Sequence, residues 1–189
     1  MGRREKAQFI VFLNSLSLLV ICMILFTAFL FQLMDHQVPC PLCLLQRVGL
    51  ILAGFGFYFN IRHEFRNSHY ALTTMACILT GAVATRQILL HIRPGDPGYS
   101  TKFLGFHFYT WSLITTILII FIVSGIMVLS DLSEELFFPR FLKKINKYIS
   151  YGVCIAFDII VTISLILTFL ECGFGQCLDN PMTYFYILH

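Results

Sequence analysis

The sequence predicts an all-α protein that crosses a membrane five times, and three observations lead there. The composition is 58% hydrophobic and 12% charged over 189 residues, a charged fraction about half that of an ordinary soluble domain. The apolar residues come in long continuous runs and lack the alternation of a membrane barrel, which leaves helices as the spanning element. Lysine and arginine are spread unevenly over the connections between those runs, as in a polytopic protein with a set orientation.

The spans follow in order as roughly Ala7 to Met34, Leu44 to Ile61, Tyr70 to Ile92, Phe108 to Ser130 and Ile149 to Leu170. Each supplies the roughly 17 to 25 residues that a helix needs to cross the hydrocarbon. The first is expected to remain as an anchor, because its run far exceeds the roughly 7 to 15 residues of a signal-peptide core and no small-x-small cleavage site follows it. Arg93-Pro94-Gly95-Asp96-Pro97-Gly98-Tyr99 is dense in turn residues and reads as a short loop between spans three and four. Between spans four and five, Phe137, Phe138, Phe141 and Ile145 alternate with Arg140, Lys143, Lys144 and Lys147. That mixture predicts an amphipathic segment on the inner membrane face. The expected organisation is a four-span membrane domain over 1–130, a cytoplasmic connector over 131–148, and a fifth span with a cysteine-containing tail over 149–189. No soluble domain, internal repeat or low-complexity tract is visible, and no nucleic-acid partner is expected.

Orientation follows from the cations. Arg3, Arg4, Lys6, Arg62, Arg66, Arg140, Lys143, Lys144 and Lys147 share one side if the spans alternate, against Arg47, Arg93 and Lys102 on the other. The positive-inside rule then puts the N-terminus in the cytoplasm and, after an odd number of spans, the C-terminus outside.

That orientation sorts the seven cysteines. Cys40 and Cys43, in Pro39-Cys40-Pro41-Leu42-Cys43, lie outside between spans one and two; Cys172 and Cys177 lie in the Gly-rich outer tail. Cys22, Cys77 and Cys154 fall inside apolar spans and read as small buried hydrophobes. A C-x-x-C pair is the smallest dithiol that opens and closes a disulfide, and here it sits at the rim of the lipid. Cys43 precedes the second span directly, so it stands at a helix N-terminus, where unpaired N–H groups and the dipole favour a thiolate. Arg47, four residues on, shares its face one turn deeper and would hold an anion there. A metal pair or a static outer disulfide is the competing reading of the same residues.

At these residues the chain resembles the DsbB family, inner-membrane enzymes of bacteria that pass electrons from a periplasmic thiol oxidase to quinone. Cys40, Leu42, Cys43 and Arg47 match the family's C-x-L-C with an arginine four residues after the second cysteine. Phe103-Leu104-Gly105-Phe106 followed by Trp111-Ser112-Leu113 resembles the family's apolar-Gly-apolar segment leading to a Trp, and Arg86-Gln87 with His91 is a looser match. The similarity covers roughly residues 9 to 130. It departs where the family usually carries a second cysteine pair between spans three and four, since 93–107 hold none. This chain instead has a fifth span with Cys172 and Cys177 behind it, and the simplest inference is that this pair replaces the missing one.

The resemblance, together with that inference about the C-terminal pair, implies a mechanism. A reduced periplasmic DsbA-like oxidase of thioredoxin fold would attack a Cys172–Cys177 disulfide, the thiols so formed would reduce Cys40–Cys43, and Cys43 beside Arg47 would donate to ubiquinone or menaquinone. Cys40 would exchange with the other pair and Cys43 would face quinone, with Arg86 and His91 as further quinone-side candidates. No metal is expected. Two alternatives stay open: a quinone-epoxide-reductase-like enzyme, whose redox dithiol lies late in its bundle, and a non-enzymatic membrane protein whose outer cysteines are structural or bind metal.

Overall fold

A proline and a pair of glycines decide much of how the helices start and meet. The computed structural model describes residues 2–34, 40–63, 65–93, 98, 102–132 and 140–173. They form α1 (Gly2–Met34), α2 (Pro41–Arg62), α3 (Asn67–Leu90), a short hairpin of β1 (Lys102–Phe103) and β2 (Phe106–His107), α4 (Phe108–Leu132) and α5 (Arg140–Cys172). All five helices contain a stretch long and apolar enough to cross a membrane. The chain is a helical multi-span membrane protein, as its composition predicts.

Pro41 occupies the first helical position of α2, where its fixed φ is preorganised and its missing N–H costs nothing. It also disfavours helical backbone at the residue before it, and Cys40 is extended at φ −69°, ψ 158°. Within α2, a β-carbon at Gly49 would run into Thr80 of α3, and one at Gly56 into Thr73. The two helices therefore approach closely, as small residues permit in membranes. Thr73 uses the proximity to donate to the Ala53 carbonyl at 3.0 Å.

α2 packs against α1 and α3, α3 against α4, and α5 against α1. The interior is filled by Leu18, Ile21 and Leu25 of α1, Phe57 of α2, Tyr70 of α3 and Phe157 of α5, all essentially inaccessible. Polar side chains cross between helices where lipid offers no partner. Asn14 donates to the Tyr70 hydroxyl at 2.8 Å, Ser15 and Ser150 bond at 2.8 Å, and Asn146 donates to the Gln8 carbonyl at 3.0 Å. Such bonds are worth about 0.6–2 kcal/mol each in membranes. Met23, Met75, Leu79, Phe121 and Leu165 point outward, as suits a surface whose solvent is hydrocarbon.

Two features differ from the expected organisation. Residues 140–148, expected in a surface connector, are the opening turns of α5, which runs unbroken for 33 residues. No proline or glycine interrupts the chain between Arg140 and Tyr151, so the helix that crosses the membrane extends beyond it. Phe137 and Phe138 lie outside the described residues, as does most of the turn-rich loop from Pro94 to Tyr99. The second difference is the hairpin. Lys102 pairs with His107 and Phe103 with Phe106, leaving Leu104 and Gly105 as a two-residue turn with φ +50° and +86°. Two left-handed residues make the turn whose twist matches that of antiparallel strands. Phe103 packs edge-on against Phe31 of α1 at 5.6 Å, and its carbonyl accepts from Trp111 Nε1 at 2.9 Å, which ties the hairpin to α1 and α4.

Candidate active site

The start of α2 makes one atom serve two purposes. Cys40 is the N-cap, and its sulfur accepts from the Cys43 backbone N–H at 3.2 Å. Capping at that spacing brings Cys43 back over Cys40, and the two Sγ atoms are in contact at 2.6 Å. Both are free thiols. The hydrogen bond to Cys43, and after it burial, hold the Cys40 pKa well above the usual thiol range.

Three glutamines from three helices join the network around the pair, one of them directly on the sulfurs. Gln87, in the last turns of α3 and 1% exposed, points its Nε2 at both sulfurs, 3.4 Å from Cys40 and 3.5 Å from Cys43. Gln46 of α2 donates to Gln87 Oε1 at 2.7 Å, which orients that amide with its N–H groups toward the thiols. Arg47, buried, donates from Nη1 to Gln32 Oε1 of α1 at 3.0 Å and lies over the Phe29 ring with its Cζ 4.5 Å from the centroid. A guanidinium held by an aromatic face and an amide keeps its charge fixed one turn below Cys43.

The fifth helix reaches the same end of the bundle. Glu171 is buried, and both the Arg47 charge and the Cys43 sulfur act on it electrostatically. Cys172 follows directly, half-buried and disulfide-bonded. Cys177 lies outside the described residues. The ends of α1, α3 and α5 thus converge on the start of α2, as helices that alternate in direction must.

The structure brings Cys40, Cys43 and Arg47 together and carries Cys172 to their end of the bundle. Arg86 stands on the exposed side of α3 while Gln87, its neighbour, meets the sulfurs. His91 caps α3 and stacks on Tyr109 of α4 with ring centroids 5.9 Å apart. Gln32, Gln46 and Glu171 were not singled out by the motifs. Their signal was present all the same, since each is a polar residue near the end of an apolar span, where such residues are expensive and face the protein interior.

Comparison with known proteins bears on these residues. A model of the family described as Disulfide bond formation protein DsbB matches residues 11–100, which take in most of α1, all of α2 and α3, and the dithiol. Disulfide bond formation protein B of Hahella chejuensis is 38% identical over 73 residues, covering 36% of this chain and 44% of that protein. The protein of the same name from Chromohalobacter salexigens is 32% identical over 86 residues, covering 43% of this chain and 50% of that protein. The chain thus spans about half the length of these relatives in the matched region. No solved structure matches.

Proposed function

Because the chain belongs to the DsbB family through residues 11–100, we propose that it is a membrane thiol:quinone oxidoreductase that reoxidises a periplasmic DsbA-like oxidase and so supports protein disulfide formation. The observation that carries this reading is the Cys40–Cys43 pair at a helix N-terminus, Cys40 buried and Cys43 half-buried, with the Gln87 amide on both sulfurs and the Arg47 charge one turn below.

The residues do distinct work. The helix N-terminus, the Gln87 amide and Arg47 all favour negative charge at Cys43, while Cys40 keeps its proton and caps the helix. Cys43 is thus the nucleophile and electron donor, and Cys40 the thiol that closes the disulfide. The Cys172 disulfide is the entry point. A thiolate of the reduced partner attacks it, the partner's second thiol resolves the mixed disulfide, and the two thiols left on the tail pass their electrons to Cys40–Cys43 by the same exchange.

The site's donor set suits a quinone. Carbonyl oxygens would find donors in the Gln87 amide and the Arg47 guanidinium. When bound, ubiquinone or menaquinone supplies a sink for two electrons and two protons. Purified protein given a reduced thioredoxin-like substrate and a soluble quinone analogue is expected to bleach the quinone absorbance, with the rate lost in Cys43→Ser. An intact chain that oxidises no thiol at the expense of quinone would reject the proposal.

The site must face the periplasm for this to work, in the cytoplasmic membrane of a bacterium with the N-terminus inside. A reporter active only outside the cytoplasm is expected to function when fused after His189 and to fail when fused near Lys144. The reverse pattern would place the dithiol on the wrong side for a periplasmic partner.

A further inference from the structure

Among the described residues, Glu171 is the ionisable side chain at the dithiol that the electron path leaves without a task. It is 7% exposed, and both carboxyl oxygens are buried with no hydrogen-bond partner among those residues. A structural acid so deeply buried is normally paired or hydrogen-bonded, because the bare charge is costly. Here the carboxyl instead lies within the electrostatic reach of the Cys43 sulfur and the Arg47 guanidinium. It also sits on α5, outside the residues that match the family.

Forming the Cys43 thiolate in this enclosure requires somewhere for its proton to go. Cys40 already holds one. Arg47 cannot release or accept a proton in this range. Gln32 of α1, Gln46 of α2 and Gln87 of α3 are amides that do not titrate, and Cys172, next to Glu171 on α5, is disulfide-bonded. Among the described residues that these contacts and charges place at the dithiol, the remaining group is the carboxyl.

We propose that Glu171 is the proton-exchange group of the dithiol, taking the Cys43 proton as the thiolate forms and releasing it as the pair is oxidised. This rests on the quinone-reducing function proposed above. In the oxidation two S–H bonds break and one S–S bond forms between Cys40 and Cys43. Two electrons and two protons leave for a membrane quinone, reduced to the quinol; one proton comes from Cys40, and the other is the Cys43 proton that Glu171 has held. The fifth helix thereby supplies a chemical group to a site otherwise built from α1, α2 and α3.

The test is the pH dependence of Cys43 alkylation by iodoacetamide, read by mass spectrometry on the reduced full-length chain in detergent without quinone. Glu171→Gln keeps the shape and breaks no hydrogen bond seen here, and it should lower the midpoint by about one pH unit, because a carboxylate no longer opposes the thiolate. Glu171→Asp should return the midpoint toward that of the unaltered chain. With quinone and a small dithiol, Glu171→Gln should reduce kcat about 100-fold, the scale of general acid–base catalysis, at unchanged quinone KM. Coincident alkylation profiles would overturn the proposal even if turnover fell, since a merely structural role would leave the thiol titration in place. If the unaltered chain reduces no quinone while the midpoint still moves with Glu171→Gln, the proposed function fails and the proton exchange stands.

Discussion

Cys172→Ser is expected to reduce oxidation of a reduced thioredoxin-like partner to background while quinone reduction by a small dithiol such as dithiothreitol continues. The distinction comes from access. Cys40 is buried and Cys43 only half-buried behind the Gln87 amide, an arrangement that a small dithiol enters far more easily than the face of a folded protein. Cys172, at the end of α5 and next to Glu171, is a disulfide-bonded cysteine at the same end of the bundle. Two serine variants separate the halves of the relay. Cys172→Ser and Cys177→Ser each remove the entry disulfide and leave the reduced partner nothing to attack, whereas a partner lacking its own second cysteine should accumulate a mixed disulfide with the unaltered chain, because the thiol that would resolve it is gone. Partner oxidation at full rate in the Cys172→Ser/Cys177→Ser double variant would reject the relay and leave Cys40–Cys43 to meet the partner alone.

Arg47→Ala should raise the apparent KM for quinone about 10–100-fold, the equivalent of the roughly 1.5–3 kcal/mol carried by a hydrogen bond to a charged group. The Cys40–Cys43 disulfide should still form, since neither the cap nor the Gln87 contacts involve the arginine. Initial rates against quinone concentration, with a small dithiol as donor, read the effect directly. The variant also leaves Gln32 Oε1 without the Arg47 bond at a buried position, so Arg47→Lys, which restores a charge but not the planar fork, distinguishes loss of the cation from loss of packing. Unchanged quinone kinetics in both would limit Arg47 to anchoring α1 against α2.

The helices and the centre of the site were legible in the sequence for a simple reason. Apolar length is a property of consecutive residues, and so is the four-residue step from Cys43 to Arg47, which any helix converts into a shared face. The glutamines are a different matter. Gln32, Gln46 and Gln87 lie on three helices, and nothing local joins them; only the close approach of α2 and α3, through Gly49 and Gly56, sets Gln46 against Gln87. Arg86 and Gln87, neighbours in the looser family match, differ by about a hundred degrees of rotation around α3, and only the packed helices show that Gln87 meets the sulfurs while Arg86 is exposed. Glu171 was hidden by distance along the chain, since its relation to Cys43 arises only when α5 packs on α1. The hairpin at 102–107 escaped because strands of two residues are too short for periodicity to register.

The sulfur of Cys40 has a consequence for how this protein can be dissected. Since the same atom closes the disulfide and caps α2, an alanine there would remove a reagent and loosen the helix end together, and any phenotype would confound the two. Serine separates them: its hydroxyl is among the preferred caps yet forms no bond to sulfur. A Cys40→Ser chain is therefore an architectural mimic of the reduced pair with its circuit open, a scaffold on which the proposed quinone affinity and partner docking can each be weighed with chemistry switched off.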